Sequence, residues 1–164
     1  MQFLLKSSLF VSLLVLLAAC DSIGSQSSVP RMPVNVTIDT RQGEFVHFTH
    51  QALNTYVTID KDGYHYNGHD IPLPFTGAFG CGGVLVYVNM SGEYKAYDLA
   101  CPYCYTQGRI ESCIVNAPFA DCPHCGEEYE LGLDVAFPTK GIGNECLRSL
   151  PITYVNNSVI RIQQ

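Results

Sequence analysis

The chain has 164 residues, enough for one folded domain of ordinary size. It contains 15 acidic and nine basic residues, so its formal net charge is −6 at pH 7. This acidic balance argues against a nucleic-acid partner and against charge-driven binding to anionic lipid.

The first 19 residues have the features of a secretory signal peptide. Lys6 supplies a positive charge, residues 9–17 form an almost unbroken apolar run, and Leu17-Ala18-Ala19-Cys20 resembles a bacterial lipobox. The run is too short to span a bilayer in the mature protein. We therefore expect Cys20 to be lipidated and to anchor the protein in the membrane of the cell envelope, facing the periplasm or the exterior. The alternative is an ordinary signal peptide that ends near a cysteine.

Residues 20–33 are expected to form the lipidated end and a flexible tether, since residues 21–33 are rich in serine and contain two prolines. Fully extended, these thirteen residues would reach about 45 Å. Cleavage before Cys20 removes one basic residue and no acid, which leaves eight basic against 15 acidic residues and a formal charge of −7. The folded domain is expected to occupy residues 34–164.

Short β-like segments then follow one another along the domain. They are rich in β-branched and aromatic residues, and turn signals such as Asp62-Gly63, Ser91-Gly92 and Asn156-Asn157 separate several of them. The predicted strands are 34–39, 44–49, 55–59, 64–66, 84–88, 94–99, 109–115, 129–133, 152–155 and 159–162. No segment after residue 20 shows sustained helical periodicity. The pattern predicts a mainly β fold, a small antiparallel sandwich or barrel.

Two Cys-x-x-Cys motifs are the most informative feature of the domain. Cys101-Pro102-Tyr103-Cys104, the first knuckle, and Cys122-Pro123-His124-Cys125, the second knuckle, are separated by residues 105–121. Four sulfurs at this spacing can converge from two loops on one tetrahedral metal ion. The prolines stiffen both loops, and Gly126 permits the turn that aims backbone N–H groups at sulfur. We predict a metal-binding subdomain over residues 97–132 with Cys101, Cys104, Cys122 and Cys125 as ligands.

Two other readings of the knuckles remain open. A thiol-disulfide oxidoreductase would place the first cysteine of a motif at a helix N-terminus, but residues 105–108 are predicted to form a turn and the second knuckle leads into an acidic strand. Structural disulfides are permitted in an oxidising envelope. A bridge within one Cys-x-x-Cys motif would close only a small loop and stabilise little.

From Gly92 onward the chain resembles the Rieske iron–sulfur fold. The matching stretches are 92–102, which ends on Cys101-Pro102, then 121–126 around the second knuckle, then 129–131 and the closing hairpin 150–155 with 159–162. The resemblance covers roughly 80 residues and is sharpest near the knuckles. It implies a β-sandwich of Rieske type with a rubredoxin- or zinc-ribbon-like metal subdomain. It further implies a 2Fe–2S cluster, one-electron transfer and a redox partner in the envelope.

The ligand set departs from the Rieske pattern, which uses Cys-x-His and Cys-x-x-His. Cys101 and Cys122 match the two cysteine positions, Tyr103 stands at the first histidine and Cys125 at the second. Four thiolates could hold a 2Fe–2S cluster, a single iron or zinc. Iron would favour an electron carrier, and zinc a binding module with a structural metal. We expect either of these rather than a stand-alone enzyme.

The remaining cysteines and the histidines are expected to be structural. Cys81 and Cys146 are candidates for a disulfide, and Cys113 is predicted to be a small apolar side chain in a strand. His124 is expected to lie exposed or to hydrogen-bond near the metal site. The other histidines of the domain are expected to lie at or near the surface: His47, His50, His65 and His69.

Overall fold

A computed structural model describes residues 27–164 of the chain. Twelve short strands and two single-turn helices form the fold. The strands are β1 (Asn35–Asp39), β2 (Tyr56–Asp60), β3 (Gly63–Tyr66), β4 (His69–Ile71), β5 (Val84–Val88), β6 (Tyr94–Asp98), β7 (Ile114–Asn116), β8 (Phe119–Asp121), β9 (Glu128–Glu130), β10 (Phe137–Lys140), β11 (Ile152–Asn156) and β12 (Val159–Gln163). A 3₁₀ helix spans Gly43–His47, and helix α1 spans Pro102–Thr106. No helix within residues 27–164 has the length and apolarity needed to cross a bilayer.

Three antiparallel sheets make up the domain. The central sheet has the strand order β4-β3-β2-β5-β6, a second sheet has the order β10-β9-β8-β7, and a third has the order β1-β12-β11. The predicted mainly β, antiparallel class is therefore confirmed. The predicted lipidation site Cys20 and the signal peptide 1–19 lie outside the described residues.

Strand β5 divides two hydrophobic cores. All five of its residues are buried, and successive side chains of a strand point to opposite faces. Val84, Val86 and Val88 pack in the first core with residues of the third sheet, whereas Leu85 and Tyr87 pack in the second core with residues of the β10-β9-β8-β7 sheet. The central sheet is thus covered on both faces, and only the second core contains the cysteines of the knuckles.

Most predicted strands are confirmed to within one or two residues, the exact match being 84–88. Two are corrected. The segment 44–49 lies largely in the 3₁₀ helix, and Phe45 within the helix and Phe48 at its C-terminal cap, three residues apart, are both buried. In the predicted strand 109–115 only the last two residues join a strand. Three short strands were not predicted: β4, β8 and β10.

Candidate metal centre

The two knuckles meet at one place in the second core. The first knuckle follows β6 and enters α1 with Cys101 at the helix N-cap, so residues 102–106 form a helical turn where the sequence predicted only a turn over residues 105–108. The second knuckle connects β8 to β9. These elements bring the ligand atoms of all four predicted cysteines within 4.8 Å of one another. Three of the four side chains are buried, and that of Cys125 is half-buried.

The closest sulfurs belong to different knuckles. Cys101 Sγ lies 3.6 Å from Cys125 Sγ, and Cys104 Sγ lies 3.6 Å from Cys122 Sγ. Four thiolates about 2.3 Å from one tetrahedral ion stand about 3.8 Å apart, so the arrangement fits a single ion. In a cluster of two bridged irons, the sulfurs bound to one iron lie farther from the sulfurs bound to the other iron than four sulfurs around a single ion lie from one another. The observed separations match the single-ion arrangement more closely.

Backbone N–H groups point at the sulfurs in both knuckles. The amide of Cys104 donates to the sulfur of Cys101, and the amides of His124 and Cys125 donate to that of Cys122. The amide of Glu127 donates to the sulfur of Cys125. Gly126 between them has φ +77°, a left-handed conformation that glycine adopts at little cost. The tight turn that the sequence predicted from Gly126 therefore aims donors at sulfur.

A tyrosine hydroxyl also reaches the centre. Tyr129 in β9 is buried, and its hydroxyl lies 3.5 Å from Cys101 Sγ, where it can donate to a thiolate. Burial, together with this bond, raises the pKa of Tyr129 far above its ordinary value. The hydroxyl therefore stays protonated and stays a donor at every physiological pH.

Cys113 is a fifth sulfur beside the four. It lies directly before β7, is 4% exposed, and its amide donates to the carbonyl of Leu99 at 2.8 Å. Its thiol hydrogen-bonds to the sulfurs of Cys101 and Cys122, and these bonds raise the pKa of Cys113 strongly. The sequence correctly predicted a small buried side chain. It gave no sign that the side chain touches two of the predicted ligands.

The first and second cysteines of each knuckle differ in acidity. Hydrogen bonding from Cys113, opposed by burial, lowers the pKa of Cys101 to about 6 and that of Cys122 to about 4. Burial is the main cause that raises the pKa of Cys125 to about 12, and burial likewise raises the pKa of Cys104. These shifts favour thiolates at Cys101 and Cys122 and thiols at Cys104 and Cys125 in the metal-free protein.

Asp98 supports the first knuckle from inside the fold. This carboxylate is fully buried and accepts backbone N–H groups from Cys81 at 2.7 Å and from Gly82 and Ala100 at 2.9 Å. It joins the turn 80–82 to the residue directly before Cys101. The sequence carries only a weak signal for this role, an aspartate three residues before the first cysteine of the knuckle.

Glu127 supports the second knuckle in a similar way. Its side chain is 1% exposed, and its Oε1 accepts the amides of Ile142 at 2.5 Å and Gly143 at 2.8 Å, while its backbone carbonyl accepts the amide of Cys122 at 2.7 Å. Its Oε2 is buried with no hydrogen-bond partner. Glu127 thus fixes the loop 141–143 to the knuckle, a role that the sequence analysis also missed.

Apart from His124, which lies within the second knuckle, the other predicted site residues are not part of this centre. Within residues 27–164 the four cysteines are the sole group of three or more His, Cys, Asp or Glu side chains that could hold a metal ion. His65 bonds to Asp70 at 2.8 Å and Asp60 at 3.2 Å, and His124 is exposed. No disulfide joins Cys81 to Cys146 in the described part of the chain, and that pairing stays a prediction.

Comparisons of the chain with family models, with curated proteins and with solved structures find no match. The resemblance to Rieske proteins therefore depends on the sequence stretches alone. In the structure the half-buried Tyr103 stands where a Rieske protein has its first histidine, and Cys125 supplies a fourth sulfur instead of a second imidazole. The donor set is one of four cysteine sulfurs.

Proposed function

We propose that the protein is a lipid-anchored electron carrier of the cell envelope, with one iron ion held by Cys101, Cys104, Cys122 and Cys125. The observation that carries the proposal is the approach of all four sulfurs to within 4.8 Å of one another. A bound iron would supply one-electron chemistry. A Rieske-like 2Fe–2S cluster is less well supported, because the sulfur separations fit one ion.

The shape of the site favours electron transfer over catalysis. Four protein ligands fill the tetrahedral positions of a metal ion, so none is left for a substrate or a water molecule. Cys101, Cys104 and Cys122 are buried, whereas Cys125 is half-buried and stands nearest to solvent. Electrons would therefore enter and leave on the side of Cys125, next to the exposed His124.

The chain's own donors suit a redox centre. Four backbone amides and the Tyr129 hydroxyl point at the sulfurs, and hydrogen bonds to ligand sulfur together with solvent exposure set the potential of such centres. The donors offset part of the negative charge of the thiolates. They thereby favour the reduced state of the centre, which carries one more electron.

A structural zinc site is the second candidate. The observation that favours it is the closed set of four thiolates, which is also the ligand set of structural zinc. A thiol-disulfide oxidoreductase is less well supported. It would use two cysteines of one motif as its redox pair, but the shortest sulfur–sulfur distances join Cys101 to Cys125 and Cys104 to Cys122.

The anchor in this proposal comes from the sequence. The signal-like residues 1–19 and the lipobox-like residues before Cys20 support acylation of that cysteine. The formal charge of −7 on the processed chain would not attract anionic lipids, so the acyl chains would have to hold the protein at the membrane. A redox partner would then be sought among proteins of the same envelope.

The deciding experiment is metal analysis with a visible absorption spectrum and an assay for inorganic sulfide. Protein starting at residue 21 would be purified without oxygen or chelators. About one iron per chain, without sulfide, is expected. One zinc in a colourless protein would select the structural site, two irons with sulfide would restore the Rieske cluster, and oxidised cysteines without metal would refute the metal centre.

Matched variants identify the ligands. Cys104→Ala and Cys125→Ala each remove one predicted ligand and are expected to abolish stoichiometric metal binding. Cys81→Ala removes a half-buried cysteine outside the four-sulfur group, so it should leave the metal content unchanged. Equal losses in all three variants would indicate general misfolding rather than loss of a ligand.

A further inference from the structure

The chain enters the folded domain at the first knuckle. We call residues 27–29 the strap; they lie within the segment that the sequence predicted as a tether. Val29 is fully buried, and the hydroxyl of Ser28 donates to the carbonyl of Pro102, inside the first knuckle, at 3.1 Å. These residues therefore do not extend freely from the domain.

Two further side chains hold the strap. The guanidinium of Arg148 donates to the carbonyl of Val29 at 2.5 Å and to that of Ser27 at 2.8 Å. The carboxylate of Glu145 accepts the amide of Ser28 at 2.5 Å. Arg148 is itself held at the end of β6, three residues before the first knuckle, because its carbonyl accepts the amide of Asp98. The strap is thus bonded on several sides to segments that surround the metal centre.

The position of the strap limits how far the metal centre can move from the anchor. A free chain from Cys20 to residue 33 could reach about 45 Å, whereas the seven steps from Cys20 to Ser27 reach about 25 Å at most. A folded unit of 138 residues has a radius of gyration of about 14 Å. The longer reach would let any face of the domain turn to the membrane. The shorter reach favours the face at which the strap enters.

Exposed apolar side chains lie on the same loops. Ile142 is 80% exposed on the loop that also carries Glu145, and Ile110 is 62% exposed on the segment that follows the first knuckle. The amide of Arg109, next to Ile110, donates to the carbonyl of Cys104. Such side chains would lose contact with water on entering the apolar part of a bilayer interface, which is favourable.

We propose that the strap turns the metal-bearing end of the domain towards the lipid surface to which the chain is anchored. The occupant of this face is the bilayer itself, so the partner of the centre lies in or on the same membrane. The inference rests on the lipid anchor of the proposed function. It does not depend on which metal fills the site.

The test is paramagnetic relaxation of amide signals in the lipidated, zinc-loaded protein, bound to nanodiscs that contain a gadolinium-chelating lipid. Amides of residues 103–106 at the first knuckle are compared with those of residues 157–158. The latter form the β11–β12 turn beside Thr40, at the opposite end of β1 from the strap. Several-fold stronger attenuation at the knuckle is expected. Equal attenuation, or stronger attenuation at the turn, would overturn the inference.

Matched variants test the strap as the cause. Arg148→Ala removes two bonds to the strap and should equalise the attenuation, whereas Arg161→Ala, at an exposed position of β12, should preserve the difference. If Arg148→Ala loses its dispersed spectrum, Ser28→Pro removes the amide donated to Glu145 and should reduce the difference. A difference that survives release of the strap would overturn the inference.

Mass and metal analysis of the same sample separate the two proposals. A chain without acyl groups on Cys20 would refute the anchor and, with it, the orientation. A chain that is lipidated and loaded with metal, but attenuated uniformly, would refute the orientation alone. Lipidated protein that takes up no zinc would refute the four-cysteine metal centre and with it the electron carrier, while stronger attenuation at the knuckle would still support the orientation.

Discussion

Proton release on metal binding follows from the unequal acidity of the four cysteines. Near pH 7.5, Cys101 and Cys122, with pKa values lowered to about 6 and about 4, are thiolates. Cys125, with its pKa raised to about 12, and Cys104, whose pKa is raised as well, are thiols. Because a divalent ion binds four thiolates, we expect it to displace about two protons rather than four.

The sign and size of the pH dependence can be stated. Since protons are released, metal affinity rises with pH. Two protons change the binding constant about a hundredfold per pH unit, or about 2.7 kcal/mol, between pH 7 and pH 9. Below pH 6, Cys101 also becomes protonated in the metal-free protein, and the slope should steepen towards three protons.

The assay is a calorimetric titration of the metal-free protein with Zn²⁺ in two buffers of different ionisation enthalpy, at pH 7.5. The difference between the two apparent enthalpies gives the number of protons released. Release of about four protons would mean that all four cysteines have ordinary thiol acidity and would refute the reasoning. Release near zero would contradict it equally, because it would require four thiolates in the empty site.

Three other substitutions test the surroundings of the centre. Cys113→Ala removes the hydrogen bonds that chiefly lower the pKa values of Cys101 and Cys122. Proton release on metal binding should therefore rise above two, while one metal ion still binds. Loss of the metal would show that Cys113 is itself a ligand. Glu127→Ala leaves two buried amides without their acceptor. It should lower the free energy of unfolding, measured by urea denaturation, by about 3 kcal/mol. The control Glu130→Ala, at a half-buried position, should change it by less than about 1 kcal/mol. Tyr129→Phe removes a hydrogen-bond donor to Cys101 that favours the reduced state of the centre. The reduction potential of the iron-loaded protein, measured by voltammetry, should therefore fall by about 60 mV. An unchanged potential would argue against that hydrogen bond.

The parts of the fold that could be predicted depend on local sequence. Strand β5 is an unbroken run of β-branched, aliphatic and aromatic residues between turns, and its predicted bounds are those of the structure. The four ligands could be predicted because each Cys-x-x-Cys motif fixes two sulfurs within one loop, and because strands on either side bring the two loops together.

The parts that could not be predicted depend on contacts between distant segments. Cys113 touches Cys101 and Cys122 only because its amide pairs with Leu99 across the fold. The segment 44–49 is rich enough in β-branched and aromatic residues to resemble a strand, yet its two phenylalanines are buried in and directly after a 3₁₀ turn. The strap lies in a segment that resembles a tether, since the serines and prolines of residues 21–33 say nothing of Arg148, some 120 residues further along the chain.

Removal of the metal separates an electron carrier from a domain that needs its ion to fold. The first core contains no cysteine, and the second core buries large side chains besides the ligands, among them Tyr87, Tyr97 and Leu131. Small zinc domains that unfold without metal lack such a core. We therefore expect chelation to leave the far-ultraviolet circular dichroism and the amide signals of β5 largely unchanged, with changes confined to residues near the knuckles. Cooperative unfolding on chelation would show that the ion completes the second core, and would favour structural zinc over an electron carrier.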